Sequence, residues 1–426
     1  MPVDSAVDSS PLTLESALYQ AHQSSLILGN SQGRQRSHAL RHMAQSLDMA
    51  LDEILEANTL DLEACEEMAV PDLMRDWLRL TPERLQGAVQ VLRDLSNMED
   101  PLEQGIAVPS HGSGHTQAFT QRVPLGVVAL VYESLPLLAT IAAALCIRTG
   151  NSLILRGSND ASQTNAALAH ALRLGLDASD LPTACVTHVE GDQGSLLRDT
   201  LVQSQWINLV IPYGRPSLIH KVEQVATAPV LKTGMGNCYL YWAASGQLEL
   251  VQWMILDSYA TEPDPVNAIE KVLISRDVSD SMVRLLLEGL KGAGFQLRAD
   301  QELIDRYGNL ELVEAGEWSQ PYLNRTIALR QVQNLESAVD WMNAHSSSHA
   351  DCIATESYNE SQEFCQRINS ATVYVNASSR FYRHPAHSNQ VALGMSNQRG
   401  DRHGRIGLTT LTTAKHIILG RGQGNS

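Results

Sequence analysis

The chain has 426 residues, 43% of them apolar and 18% charged, which excludes disorder over its length and leaves room for two or three domains. Its 31 basic residues stand against 47 acidic ones, a formal charge of -16 that excludes nucleic acid and anionic membrane surfaces as partners. It does not exclude a small anion held in a local pocket.

The opening MPVDSAVDSSPLTLES is acidic and lacks an apolar core region, so it does not read as a signal peptide. Apolar residues at three- and four-residue steps predict helices over 14–28 and 37–60, and Thr-Pro-Glu starts a third over 81–95. GIAVPSHGSGHTQAFT (105–120) is rich in Gly, Ser and His and predicts a loop or hairpin. Residues 123–147 carry one charge, Glu133, but Pro124 and Pro136 break the stretch. It reads as a buried strand over 127–132 feeding a helix over 137–146, not as a membrane span. From there the apolar runs VVALVY, SLILR (152–156), ACVTHV (184–189) and WINLVI (206–211) alternate with helical patterns at 161–174, 194–202 and 215–225. Such alternation predicts a parallel sheet covered on both faces. After Thr233 a second series begins with NCYLYWA, a helix over 248–259 and AIEKVLIS, and continues with strands at 326–329, 350–355 and 371–376. The expected fold class is α/β with two successive lobes, and the last residues, GRGQGNS, are expected to fray.

Local motifs add little. Neither GxGxxG after the first strand nor GxxxxGK[ST] occurs. The histidine pairs His111/His115, His345/His349 and His384/His387 lie in Ser/Gly/Pro-rich segments and read as solvated loop residues, not metal ligands. Glu270 reads as a lone charge at an element edge, and Cys238 as an inert buried thiol without a visible His neighbour. Six widely spaced cysteines without a CxxC fit reduced thiols and a cytoplasmic location.

Several segments together resemble the gamma-glutamyl phosphate reductase family of the aldehyde dehydrogenase superfamily. They include EILEANTLDLEA (53–64), RVPLGVVALVYES (122–134), AAALCIRTGNSLILRGS (142–158), LVIPYGRPSLI (209–219), PVLKTGMGNCYLY (229–241), SHADCIATE (348–356), ATVYVNASSRF (371–381) and IGLTTLTT (406–413). The resemblance implies an aldehyde-dehydrogenase-like fold with a nucleotide-binding lobe from 1–104 and 122–230 and a catalytic-type lobe over 231–403. An oligomerisation element would come from 105–121 and 404–426. It also implies NADPH-dependent reduction of glutamyl 5-phosphate to glutamate semialdehyde through a cysteine thioester, NADP(H) as cofactor, and a homo-oligomer or a hetero-oligomer with a related reductase.

Three positions depart from that pattern. Where the family carries Cys-Asn-Ala-x-Glu, this chain has Val266, Asn267, Ala268, Ile269 and Glu270, and valine cannot form an acyl-enzyme. At the oxyanion donor the family asparagine is Leu137, and the arginine two residues before it is Leu135. At the position resembling the superfamily's cofactor-ribose glutamate stands Ala392. Retained family positions are Gly150, Asn151, Arg156, Gly157, Pro212, Gly214 and Ser217 toward the nucleotide. Toward the substrate pocket they are Asn267, His349, Asp351, Asn376, Arg380 and Phe381. Three readings stay open: a homologue that kept the fold and lost the cysteine-dependent reaction, a working reductase, and a nucleotide-binding regulator.

Overall fold

The computed structural model describes residues 13–103, 105–107, 116–190, 194–260, 264–384, 390–398 and 402–420. His111, His115, His387, the extreme N-terminus and residues 421–426 lie outside the described residues.

Five helices precede the first sheet: Leu14–Gly29, Gly33–Met49, Leu51–Glu67, Asp72–Leu78 and Pro82–Asn97. The single helix expected over 37–60 is two, divided at Ala50, where ψ is 10°. The apolar period runs through the break because Leu40, Met43 and Leu47 before it and Ile54 after it enter the same core. Thr81 caps the last of the five by accepting from the Arg84 amide at 3.3 Å, and Pro82 sits in the first turn, where an amide has no helical partner anyway.

The first sheet is parallel, in the order Val186–His188, Ser152–Arg156, Val127–Tyr132, Leu209–Tyr213. Val127–Tyr132 has a neighbour on each side and is buried along its whole length, which explains its unbroken apolar run. The helix Leu137–Arg148 that follows is buried from Leu138 onward on every face, and its alanines 142–144 allow that close approach. Asn151 ties the sheet together: its Oδ1 accepts from the Leu125 and Gly126 amides, and its Nδ2 donates to the Leu411 carbonyl at 2.8 Å.

The second sheet has seven parallel strands, ordered Glu311–Leu312, Gln296–Ala299, Thr326–Val332, Ile269–Ser275, Cys238–Trp242, Ala350–Ala354, Thr372–Val375. Its register slips once: Cys238 faces Ile269 but Tyr239 faces Lys271, so Glu270 is the extra residue of a bulge. A separate antiparallel sheet joins Gly105–Ala107 to Thr116–Pro124, and the latter to Thr412–Gly420 over nine residue pairs. Among the described residues no helix is long and apolar enough to cross a membrane.

Candidate functional site

Val266 lies in the turn entering the strand Ile269–Ser275 and is fully buried. It packs with Phe381, Ala392 and Met395 in one apolar cluster. Two of the three departures, Val266 and Ala392, are therefore in the same small core. The Val266 carbonyl accepts from the Gly236 amide at 3.0 Å and from His349 Nε2 at 2.7 Å. A carbonyl only accepts, so Nε2 carries the imidazole hydrogen, and the ring's lone pair is on Nδ1, which has no hydrogen-bond partner.

Cys238 Sγ lies 3.3 Å from the same Nε2. The nitrogen facing the thiol already holds its hydrogen, so it cannot take another from sulfur while the imidazole is neutral. Burial pushes the Cys238 thiol well above its ordinary value, helped by the Asp351 carboxylate, and burial pushes His349 down to about 4. The pair is in contact but not activated. The sequence-based picture of a thiol without a His neighbour is thus corrected, because His349 comes from a strand entrance 111 residues away. His349 is no solvated loop residue either: its exposure is 0%.

The other second-lobe candidates hold backbone in place. Asn267 Nδ2 donates to the Ser379 carbonyl at 2.9 Å, and Ser379 Oγ returns a bond to the Asn267 carbonyl at 2.8 Å. Asn376, at φ 52°, accepts from the Thr355 amide and donates to its carbonyl, closing a turn between two strands. Asp351 is buried and accepts from the Tyr239 amide and the Ser346 and Ser370 hydroxyls; burial raises its pKa to about 6. Glu270 is not a lone edge charge. The bulge turns its carboxylate onto the amides of Asn237, Tyr322 and Leu323 at 2.7–2.8 Å, with Lys271 Nζ at 3.8 Å, so it is a structural anchor and not a base.

A cavity of about 490 Å³ lies between the Leu137–Arg148 helix, the last of the N-terminal helices and the segment at 380–384. Leu135, Leu137, Leu138, Ile141, Trp77 and Leu80 form its apolar wall. Phe381 faces this cavity on one side and the Val266 cluster on the other, while Val266 is absent from the lining. Charge gathers at 79–84 and 380–384. Arg380 Nη1 is 3.4 Å from Asp257, and Arg383 pairs through both Nη atoms with Asp264. Tyr213 Oη donates to Asp264 at 2.6 Å and accepts from Arg383 at 2.9 Å, so this buried triad joins the first sheet to the loops of the second lobe.

A second cleft, of about 240 Å³, opens beyond the carboxyl ends of Ser152–Arg156 and Val186–His188. This is where open parallel sheets hold ligands. Arg156, Gly157, Asn159, Gln163, His188 and Glu190 are among its lining residues. Arg156 is 7% exposed, so it is not a solvated surface arginine; its guanidinium donates to the Gly157 carbonyl and to Asn159 Oδ1. Gly157 is required because a Cβ would run into Asn165 Nδ2. Burial, reinforced by Arg156, pushes His188 down to about 4. Pro212, Gly214 and Ser217 do not line this cleft. Pro212 is buried in its strand, Gly214 lies against the Glu133 carboxylate that binds Arg215, and Ser217 is exposed on the helix Pro216–Val225. His188 and Glu190 carry no local motif, and only the rule about strand ends singles them out.

Of the other histidines in the three sequence pairs, among the described residues, His345 ends the helix Leu335–His345 and does not lie in a loop, and both it and His384 have non-metal partners. His345 Nδ1 bonds Ser319 Oγ at 2.9 Å, and His384 pairs with Asp94 at 2.6 Å. Among the described residues no three His, Cys, Asp or Glu side chains form a metal-binding group.

Residues 4–293 match the model of the aldehyde dehydrogenase family. The chain is 47% identical over 396 residues to gamma-glutamyl phosphate reductase 2 of Synechocystis, covering 93% of this chain and 94% of that one. It is 33% identical over 411 residues to gamma-glutamyl phosphate reductase of Gloeobacter violaceus, covering 96% and 98%. The crystal structure of gamma-glutamyl phosphate reductase from Thermotoga maritima superposes with a TM-score of 0.88 at 29% identity, over 97% of this chain and 100% of that one. With its two parallel sheets and its antiparallel arm matched along nearly their whole length, the chain belongs to the gamma-glutamyl phosphate reductase family within the aldehyde dehydrogenases.

Proposed function

We propose that this protein retains the reductase fold as a cytoplasmic binding and assembly protein and has lost the cysteine-dependent reaction. One observation carries the reading: the nucleophile position, Val266, and the ribose-ligand position, Ala392, are fused with Phe381 and Met395 into a closed apolar cluster. Reducing an acyl phosphate through a thioester needs a thiolate, donors for the oxyanion and a held nicotinamide. Valine supplies no electron pair, Leu137 supplies no donor, and an alanine methyl accepts no ribose hydroxyl. Cys238 does not substitute, because its sulfur is buried, protonated and faces an imidazole N–H.

The residues present fit one half of NADP(H) and not the other. In the cleft beyond the strand ends, Arg156 suits a nucleotide phosphate and Glu190 a ribose hydroxyl, while Gly157 gives close backbone approach. The position that resembles the family's nicotinamide-ribose ligand is Ala392, inside an apolar cluster with Val266, Phe381 and Met395 that offers a ribose hydroxyl no acceptor. In this reading 1–104 and 122–230 form the nucleotide lobe, 231–403 the second lobe, and 105–121 with 404–426 the element that assembles copies of this chain or a related reductase.

The deciding experiment is phosphate-dependent reduction of NADP by glutamate semialdehyde, with a cysteine-bearing relative as positive control. The expected rate is at least a thousandfold below the control, in keeping with the loss of a nucleophile and an oxyanion donor. Turnover near the control would restore the working-reductase reading that the 47% identity favours. The cleft around Arg156 favours retained nucleotide binding, and the melting temperature should rise with NADPH at about millimolar concentration.

A further inference from the structure

We propose that the exposed face of the helix Gly33–Met49 holds a divalent transition-metal cation of the zinc, nickel and copper class, bound by His38 and His42. The inference does not depend on whether the reaction is lost, since neither histidine lines the cavity at Leu137 or the cleft at Arg156. Four residues apart on a helix, two side chains lie one above the other on the same face. Here the two Nε2 atoms meet at 3.1 Å, with ring centroids 4.3 Å apart and planes at 79°. Bonds of about 2.0–2.1 Å from one such ion, at an angle between square and tetrahedral, set two nitrogens about 2.8–3.4 Å apart. One ion can therefore bond both nitrogens at the separation they already have.

Before an ion binds, one neutral ring donates its Nε2 hydrogen to the other. Coordination needs both lone pairs, and the donor ring supplies its own by passing that hydrogen through water to Nδ1. Two neutral imidazoles remain, and no net proton is released.

The scaffold under the pair is held firmly. Leu40, Met43 and Leu47 bury the opposite face in the core. The turn bearing His42 presses on Gly175 of the helix Ser162–Asp177, where an added Cβ would come within 2.8 Å of the His42 carbonyl carbon. Imidazole nitrogen suits zinc, nickel and copper, whereas magnesium and calcium want oxygen. Among the described residues no third His, Cys, Asp or Glu completes a group, so water fills the other positions of the ion. Arg34 and Arg41 are exposed on the same helix, where solvent and salt screen their repulsion of a dication.

Titration calorimetry on the tag-free full chain, stripped with a chelator, tests the site. Copper(II) should bind most tightly, nickel(II) and zinc(II) more weakly, and magnesium(II) not at all. His38→Gln and His42→Gln should each weaken nickel(II) at least tenfold, because a two-point attachment becomes a single one. His38 is exposed and His42 half-buried, so both variants should keep the native circular dichroism. Adding Gln45→His to His38→Gln should restore binding, since positions 42 and 45 are neighbours on one helix face. The paramagnetic resonance of copper(II) at one equivalent should show two coordinating nitrogens, a signature that each single variant loses. Nickel(II) binding that neither substitution weakens in folded protein, magnesium(II) binding as tight as nickel(II), or a copper(II) signal from a single nitrogen in the native chain would overturn the proposal.

Discussion

His349 shows how one buried side chain is committed by its partners. The Val266 carbonyl fixes the hydrogen on Nε2, and burial holds the ring neutral to about pH 4 where an unfolded histidine titrates near 6.5. Because the folded pKa is the lower one, the unfolded chain binds the extra proton between these values, and stability falls as pH drops from about 6.5 to 4. Asp351, raised to about 6, works with the opposite sign, since its folded form prefers the proton and loses that advantage as pH rises. Denaturant unfolding of the native chain and of His349→Gln should separate the two. The native chain should lose about 1.4 kcal/mol per pH unit more than the variant across that window, while Asp351 cancels from the difference. Equal slopes would mean the imidazole is protonated in the fold. None of this was legible in the sequence. His349 and Cys238 are 111 residues apart, and only the parallel pairing of Cys238–Trp242 with Ala350–Ala354 makes them neighbours.

At the level of elements, what the sequence shows depends on how local the cause is. Val127–Tyr132 and Ile269–Ser275 stand out as apolar runs because strands with neighbours on both sides bury both faces. The break at Ala50 does not stand out, since the apolar period continues across it. The Glu270 bulge and the Tyr213–Asp264–Arg383 triad are equally silent, because each closes contacts across 33 to 170 residues. Leu137 and Val266 were visible only as departures from a family pattern. That they occupy different places, a cavity wall and an apolar cluster with Phe381 between them, needed the structure. The triad makes a sharp forecast. Asp264→Ala leaves the Arg383 guanidinium, 15% exposed, without its carboxylate, and should cost about 3–5 kcal/mol in denaturant unfolding. Adding Arg383→Leu should recover most of that loss. A cost below about 1 kcal/mol for the single change would show that water or another group takes over the charge.

For the whole molecule, the antiparallel arm is the feature most exposed to other chains. Thr412–Gly420 pairs with Thr116–Pro124 along one side, and among the described residues no strand covers its other side. Ile418 is 71% and Leu419 51% exposed on it, the kind of edge that recruits a further strand. Light scattering should therefore give a mass well above the 46.6 kDa of one chain, and Ile418→Lys with Leu419→Lys should bring it down to that value. A native mass of one chain would remove the arm from any role in assembly.

The place of Trp77 has an optical consequence. Its indole is 1% exposed, has no hydrogen-bond partner at Nε1, and forms part of the cavity wall, whereas none of the other five tryptophans lines that space. Whatever enters there displaces solvent or void from the face of one chromophore. Subtracting the emission of a Trp77→Phe protein then isolates the signal of that single ring, so occupancy can be followed by fluorescence in unlabelled protein, without turnover.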